Sequence, residues 1–276
     1  MNRILIAAAA LMAAGSSALA ADLPYRSAPP VYAPAPLPVF TWTGAYLGFN
    51  AGYAFNAETR VTARDSFGNA AGVAGGFGPT GFRSTADGFT GGGQVGYNLQ
   101  IPGLGGFGPG GGIVVGVEAD AAYTDLSRGT TASLGTFSGT YRTGLDYLGT
   151  VRGRIGYAFN QVLIYGTGGF AYGGVNDRAS FFNGSTLRYD GHNDDMATGF
   201  VYGGGIEYAL PTGSFLNVFK ASAVTLKAEY LHYDLGSSNV SAAATVANAT
   251  PASYTVRLEN EGDIVRAGLN YKFGSF

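Results

Sequence analysis

The stretch "GAYLGFNAGYAFN" alternates from end to end. Ala45, Leu47, Phe49, Ala51, Tyr53 and Phe55 share one phase, and Tyr46, Gly48, Asn50, Gly52, Ala54 and Asn56 the other. A period of two marks a strand, because successive side chains point to opposite faces. An ordinary strand runs about 5–6 residues, whereas one that crosses a bilayer at a tilt needs about 9–11. This run is long enough to cross.

Seven more segments read as strands, six of them by the same alternation. "GFTGGGQVGYNLQI" sets Phe89, Val95, Tyr97 and Leu99 against Thr90, Gln94 and Asn98. "GIVVGVEADAAYT" sets Ile113, Val115, Val117, Ala119, Ala121 and Tyr123 against Glu118, Asp120 and Thr124. "YRTGLDYLGTVRGRIGYAF" sets Tyr141, Leu145, Tyr147, Val151, Ile155 and Tyr157 against Arg142, Asp146, Arg152 and Arg154. "VLIYGTGGFAYGG" (162–174) is apolar on both phases, so its facing stays open. "ATGFVYGGGIEYAL" sets Phe200, Tyr202, Ile206 and Tyr208 against Glu207, and "AVTLKAEYLHYD" sets Val224, Leu226, Ala228 and Tyr230 against Thr225, Lys227 and Glu229. "DIVRAGLNYKF" sets Val265, Ala267, Leu269, Tyr271 and Phe273 against Arg266, Asn270 and Lys272.

The connections differ in kind. Residues 57–87, 125–139, 176–196 and 235–258 are long and polar, while 102–111, 159–161 and 211–222 are shorter and carry Pro, Gly or Asn. Long loops on one side and short turns on the other is the asymmetry of outer-membrane barrels. The pattern predicts an all-β fold: an eight-stranded antiparallel up-and-down transmembrane β-barrel with short periplasmic turns and long extracellular loops. An even strand number puts both termini on the periplasmic side.

The N-terminus supports export. Arg3, an apolar run from Ile4 to Ala14 and the Ala18-Leu19-Ala20 site read as a cleaved signal peptide over 1–20. Residues 22–40 hold six of the eleven prolines, which favours extended polyproline II. The domain reading is therefore signal peptide 1–20, Pro-rich periplasmic tail 21–41 and barrel 42–276. Gly (46) and aromatics (18 Tyr, 18 Phe, one Trp) are abundant and charge is 12%, which argues against disorder and for a turn-rich sheet. There are no cysteines, which excludes disulfides and thiolate metal sites. Removing Arg3 leaves 15 basic against 18 acidic residues, which gives no reason to expect nucleic acid.

A short repeat runs through the chain. "VGYNL" (95–99), "IGYAF" (155–159), "IEYAL" (206–210) and "LNYKF" (269–273) share the form aliphatic-x-Tyr-x-Leu/Phe and end the second, fourth, sixth and eighth strands. They place Tyr97, Tyr157, Tyr208, Tyr271 and Phe273 at one depth on the outer face, as an aromatic girdle.

Alternation alone does not orient the wall, since a soluble barrel would keep its aromatics inside. Strand length, the common depth of the tyrosines and the aromatic last strand favour lipid outside. A charge facing lipid at mid-depth costs about 2–4 kcal/mol, so strand charges belong in the lumen. Glu118, Asp120, Arg152, Arg154, Glu207, Lys227, Glu229 and Arg266 are the expected interior ionic network. Glu118–Arg152 and Glu229–Arg266 are expected to meet across adjacent strands, because an unpaired buried charge is expensive. A satisfied ionic core is the commoner meaning of such a network, and a polar path through the barrel the alternative.

Reactive motifs are sparse. His192 lies in "RYDGHNDD" beside Tyr189, Asp194 and Asp195, usable as ligands to a metal or haem iron but more often a solvated loop tip. His232, in "YLHYD", sits at a strand rim in the outward phase, as an interfacial histidine. No phosphate loop, G-x-S-x-G or H-E-x-x-H is present.

The chain resembles the small outer-membrane β-barrel proteins of the opacity-protein and OmpA-like type. It is most similar to their alphaproteobacterial porin-family branch, which includes haem-binding members. "FTWTGAYLGFNAGYAF" (40–55), "VVGVEADAAY" (114–123), "LGTVRGRIGYAF" (148–159), "LKAEYLHYD" (226–234) and "IVRAGLNYKF" (264–273) carry the resemblance. It implies a surface-exposed structural barrel in the outer membrane, surrounded by lipid and inserted by the barrel-assembly machinery. Leu269, Tyr271 and Phe273 are then the assembly signal, and peptidoglycan or a host surface are candidate contacts. No enzyme activity, metal or cofactor is expected; a small channel or a haem-binding receptor is the alternative. The family typically ends where Phe273 stands, so Gly274-Ser275-Phe276 is a departure. Phe273→Ser is therefore expected to reduce membrane insertion more than Phe276→Ser in a fractionation assay. Equal defects would put the last strand in the other register.

Overall fold

The computed structural model describes residues 40–67, 82–103, 110–211, 213–247 and 251–274. The expected signal peptide, the tail as far as residue 39, and Phe276 lie outside these. Eight strands close in chain order: β1 (Gly44–Asp65), β2 (Phe82–Pro102), β3 (Gly111–Leu134), β4 (Phe137–Phe159), β5 (Val162–Asn183), β6 (Thr186–Ala209), β7 (Ala223–Ala244) and β8 (Ser253–Phe273). Every neighbouring pair is antiparallel, and β8 returns to β1 from Ala45↔Phe273 to Asp65↔Tyr254. Closure removes the unpaired edge that no open sheet can carry into lipid.

The strands run 21–24 residues, about twice what a membrane crossing needs. The excursions expected as long extracellular loops are built largely of strand. β3 and β4 turn over at Gly135, and β5 and β6 at Gly184, both with positive φ (62° and 56°). These segments are polar on one face only. Their other face carries Tyr141, Phe181, Tyr189 and Tyr254, which pack together inside and keep the strands paired.

The wall thus has two halves. Near the end where β1 begins and β8 finishes, Leu47, Phe49, Val95, Val117, Val151, Ile155, Phe200, Ile206 and Val265 are exposed on the outside while Glu118, Arg152 and their neighbours are buried within. Towards the far end the polarity reverses. Val61, Ala63, Val240, Val256 and Leu258 are buried inside, and Thr62, Arg64, Asn239, Thr255 and Arg257 face out. One-residue bulges carry the reversal in three strands: in β1 between Ala54 and Ala57, in β4 between Leu145 and Tyr147, and in β7 between Asp234 and Ser237. Each lies just beyond an exposed aromatic, Tyr53, Tyr147 or Tyr230. An extra residue flips every later side chain to the other face. In β7 the bulge uses Gly236 at φ 73°, whose N–H donates to Asp234 Oδ1 at 2.7 Å.

These bulges correct two assignments. Tyr141 and Leu145, expected outside with Tyr147, are buried inside, and Arg142 and Asp146, expected inside, are exposed. The sequence phase is unbroken across Asp146, and only the bulge reverses its meaning. The open facing of β5 is settled too: Leu163, Tyr165, Ala171 and Val175 point in, and Ile164 and Phe170 point out.

Asp177, in the far half, is buried with Thr143 Oγ1 donating to it at 2.6 Å and Ser238 Oγ also donating. Burial pushes its carboxyl above the usual aspartate range, and Asp194 adds to the shift. A carboxyl whose folded pKa exceeds its unfolded value favours folding when protonated; the ionised form opposes folding above the folded pKa. Asp177→Asn should therefore raise the urea midpoint at pH 8, with a gain that fades as pH falls from the folded pKa to the unfolded one and is absent below it. A gain independent of pH would mean the ionised carboxylate is not the destabilising species.

Candidate functional site: a charged layer in the lumen

Alternation in β3 turns Glu118 and Asp120 inward, and in β4 Arg152 and Arg154. β7 adds Lys227 and Glu229, β8 adds Arg266 and β6 adds Glu207. All eight are buried, and four carboxylates balance four cations. Glu118 stands opposite Arg152, and Glu229 opposite Arg266, in the strand register. Both pairs are bonded: Arg152 Nη2 to Glu118 Oε1, and Arg266 Nη2 to Glu229 Oε2 at 2.7 Å.

Further bonds run both along the wall and across the lumen. Arg152 Nη1 reaches Glu229 Oε1 at 3.0 Å, and its Nη2 reaches Asp120 Oδ2 at 2.9 Å. Arg266 grips Asp120 with Nη1 and Nη2, both at 3.1 Å. Lys227 Nζ lies 2.9 Å from Glu118 Oε1, and Arg154 Nη2 lies 2.8 Å from Glu207 Oε2. Forked guanidinium–carboxylate contacts of this kind are the strong form of an ion pair. They tie β3, β4, β6, β7 and β8 together through the middle of the barrel.

Neutral groups complete the layer. Tyr46 OH donates to Glu118 Oε2 at 2.7 Å, and Tyr165 OH donates to Glu229 Oε1 at 2.9 Å. The Arg154 guanidinium lies 4.3 Å from the Tyr165 ring centroid. Asn50, Gln94 and Asn270 form a chain of amides that ends on Glu207. Tyr46 and Asn50 were visible in the inward phase of β1, but nothing in the spacing showed that they reach the charges. Trp42 was missed as well. It is 1% exposed and fills the terminal mouth with Val114, Leu163 and Tyr165. Its backbone N–H donates to Gln100 Oε1 at 2.7 Å and its indole N–H to Asn160 O at 2.9 Å.

Elsewhere the expected sites fare differently. Tyr97, Tyr208 and Phe273 are exposed on the outer face, and Tyr157 is half-buried against Phe159. Tyr271 departs from the expected girdle. It shares the outward phase but is only 7% exposed, because the β6–β7 connection folds over it and partly over Leu269. Tyr189, His192, Asp194 and Asp195 lie in β6 rather than in a loop. Tyr189 is buried inside and donates to Pro251 O, while His192 and Asp194 are exposed, so the four do not converge on one ion. No metal-binding group of three such residues occurs among the described residues. His232 is in the outward phase, with Nδ1 2.9 Å from Asp263 Oδ1 and its ring beside Tyr202.

An apolar outer band, a balanced ionic layer in the lumen and full closure define a transmembrane β-barrel with a filled interior. No family model matches the sequence. The chain is 33% identical over 286 residues to the 31 kDa outer-membrane immunogenic protein of Brucella melitensis, across 99% of this chain and 100% of that protein. It is 27% identical over 281 residues to the 25 kDa outer-membrane immunogenic protein of Brucella abortus, across 99% of each. OprG from Pseudomonas aeruginosa, a solved outer-membrane protein, aligns at 14% identity over 85% of this chain and 98% of that one, with a TM-score of 0.46. The chain belongs to the family of the 31 kDa outer-membrane immunogenic protein, and it is a surface-exposed barrel of the outer membrane.

The layer predicts a large asymmetry between single and paired substitutions. Arg152→Met leaves Glu118, Asp120 and Glu229 short of a cation and should cost about 3–5 kcal/mol in urea unfolding from lipid vesicles. Adding Glu229→Gln should recover part of that loss. A cost near zero for Arg152→Met would mean that water, not the network, solvates these carboxylates.

Proposed function

We propose that the barrel is a non-conducting, non-enzymatic scaffold that carries a polar-surfaced extension beyond the outer leaflet, for envelope integrity and surface contact. The observation that carries this reading is the succession of closed layers along the lumen. Trp42 and its neighbours fill the terminal mouth, the ionic layer follows, and two apolar clusters fill the rest. An eight-stranded barrel is only just wide enough for its own side chains to fill it. The cavity beside Leu126, Leu145, Val175 and Tyr233 is about 30 Å³, room for a water or two.

The same geometry disfavours the channel alternative, because a permeating ion would have to part the ionic layer and then cross two apolar ones. It gives the haem alternative no support from Tyr189 and His192, which face opposite sides of β6. The non-enzymatic part is this proposal's own reading, supported among the described residues by the setting of the one strand-rim histidine. His232 is bonded to Asp263 alone, with no serine or threonine among its partners. The exposed rows of β3–β8 beyond the apolar band are the surface offered to other cells or molecules. Insertion by the assembly machinery and contact of the Pro-rich tail with peptidoglycan belong to this proposal.

Planar-bilayer recordings of the refolded protein should show no discrete conductance, and Trp42→Ala alone should not open one because the ionic layer remains. Steady single-channel steps from the unaltered protein would overturn the closed-scaffold reading.

A further inference from the structure

The described part of the β6–β7 connection, residues 210–211 and 213–222, lies on the outer wall instead of hanging beneath the barrel. Leu210, Leu216 and Ala221 turn towards the wall and cover Val224, Leu269 and Tyr271, which belong to the outward phase of β7 and β8. The Phe219 ring meets Tyr271 edge-on with centroids 4.9 Å apart, and Tyr271 OH donates to Leu216 O at 3.0 Å. The segment therefore stands where lipid would otherwise touch the end of the last strand. Its other side is apolar too: Phe215, Val218 and Phe219 are 89%, 72% and 64% exposed. Leu226, Tyr208 and Phe273, near the same ends of β6, β7 and β8, are exposed on the lipid-facing surface as well.

An irregular segment can leave water only if its own backbone groups are satisfied. This one bonds to itself. Ser214 N–H donates to Pro211 O at 2.9 Å, Asn217 N–H to Ser214 O at 3.0 Å and Val218 N–H to Leu216 O at 2.9 Å. The Asn217 side chain brackets Ala221, donating to its carbonyl at 2.9 Å and accepting from its N–H at 2.8 Å. Lys220 is exposed at the end of the turn, where a long stem can hold its ammonium at phosphate height.

We propose that residues 213–222 form a wedge inserted into the periplasmic leaflet, with Phe215, Val218 and Phe219 among phospholipid chains at the headgroup boundary. Such interfacial elements bury their apolar face to a depth of about 5–10 Å. The wedge widens the lipid-contacting perimeter on the β7–β8 side only, so the barrel meets its membrane asymmetrically. It also covers part of the last strand, which can happen only once β7 and β8 are paired.

The chain has no cysteine, so a single introduced thiol can be labelled without background. The full chain carrying Val218→Cys with a nitroxide label is refolded into phospholipid vesicles, and collision with oxygen is compared with collision with a water-soluble nickel chelate. Ile206→Cys serves as the lipid-facing reference and Ser185→Cys, at the β5–β6 turn, as the water-facing one. Val218 is 72% exposed, so its replacement leaves the Leu216–Tyr271 packing in place. The expected result is an oxygen preference at 218 that matches position 206 and is several-fold above position 185. Nickel access at 218 equal to that at 185 overturns the proposal. So does a label reached by neither collider, which would mean that protein, not lipid, covers the wedge.

Discussion

The medium outside the wall changes part-way along every strand, and the side chains have to change with it. Next to lipid, a charge belongs inside and an aliphatic group outside; next to water the preferences exchange. The barrel meets both demands with one continuous sheet. Its lipid-facing half encloses Glu118, Asp120, Arg152, Arg154, Glu207, Lys227, Glu229 and Arg266, and its far half encloses Val61, Phe181, Tyr254 and Leu258. The bulges in β1, β4 and β7 sit at the changeover, where they reverse facing without interrupting the pairing.

Eight charges buried in one layer are tolerable because they balance and are bonded to one another, since the cost of desolvating each one is several kcal/mol. Balance explains why the network is compact and why its bonds run across the lumen. Arg152 alone touches acids from β3 and β7, and Arg266 links the same two strands from β8. The outcome is a cross-braced plug, which suits a barrel whose working surface lies beyond the membrane. Trp42 adds a second seal at the terminal end, held by hydrogen bonds to Gln100 and Asn160.

Much of this was legible in the amino-acid order. Phe89–Leu99, Ile113–Tyr123 and Val265–Phe273 show their lipid phase directly, because bilayer and lumen select opposite residues at alternate positions. The two in-register pairs, Glu118–Arg152 and Glu229–Arg266, could be read from matched offsets to the repeated tyrosines. Arg142 and Asp146 could not be placed, because one bulge changes parity without leaving a mark in the hydrophobic pattern. The strands hidden in the supposed long loops were missed for a related reason: Thr, Ser, Asn and Gly on a water-facing wall look like loop residues until their apolar partners are seen to meet inside.

The sequence by itself determined that the chain makes long amphipathic strands, that their number is even, and that the strand charges of both signs share the inward phase. These follow from local alternation and from composition, which need no partner to be specified. Only the tertiary structure decided which arginine reaches which carboxylate across the lumen, where facing reverses, and that Tyr271 lies under the β6–β7 connection instead of in lipid. Each of those depends on residues brought together by closing β8 onto β1 and folding a turn back on the wall, and distance along the chain carries no record of either.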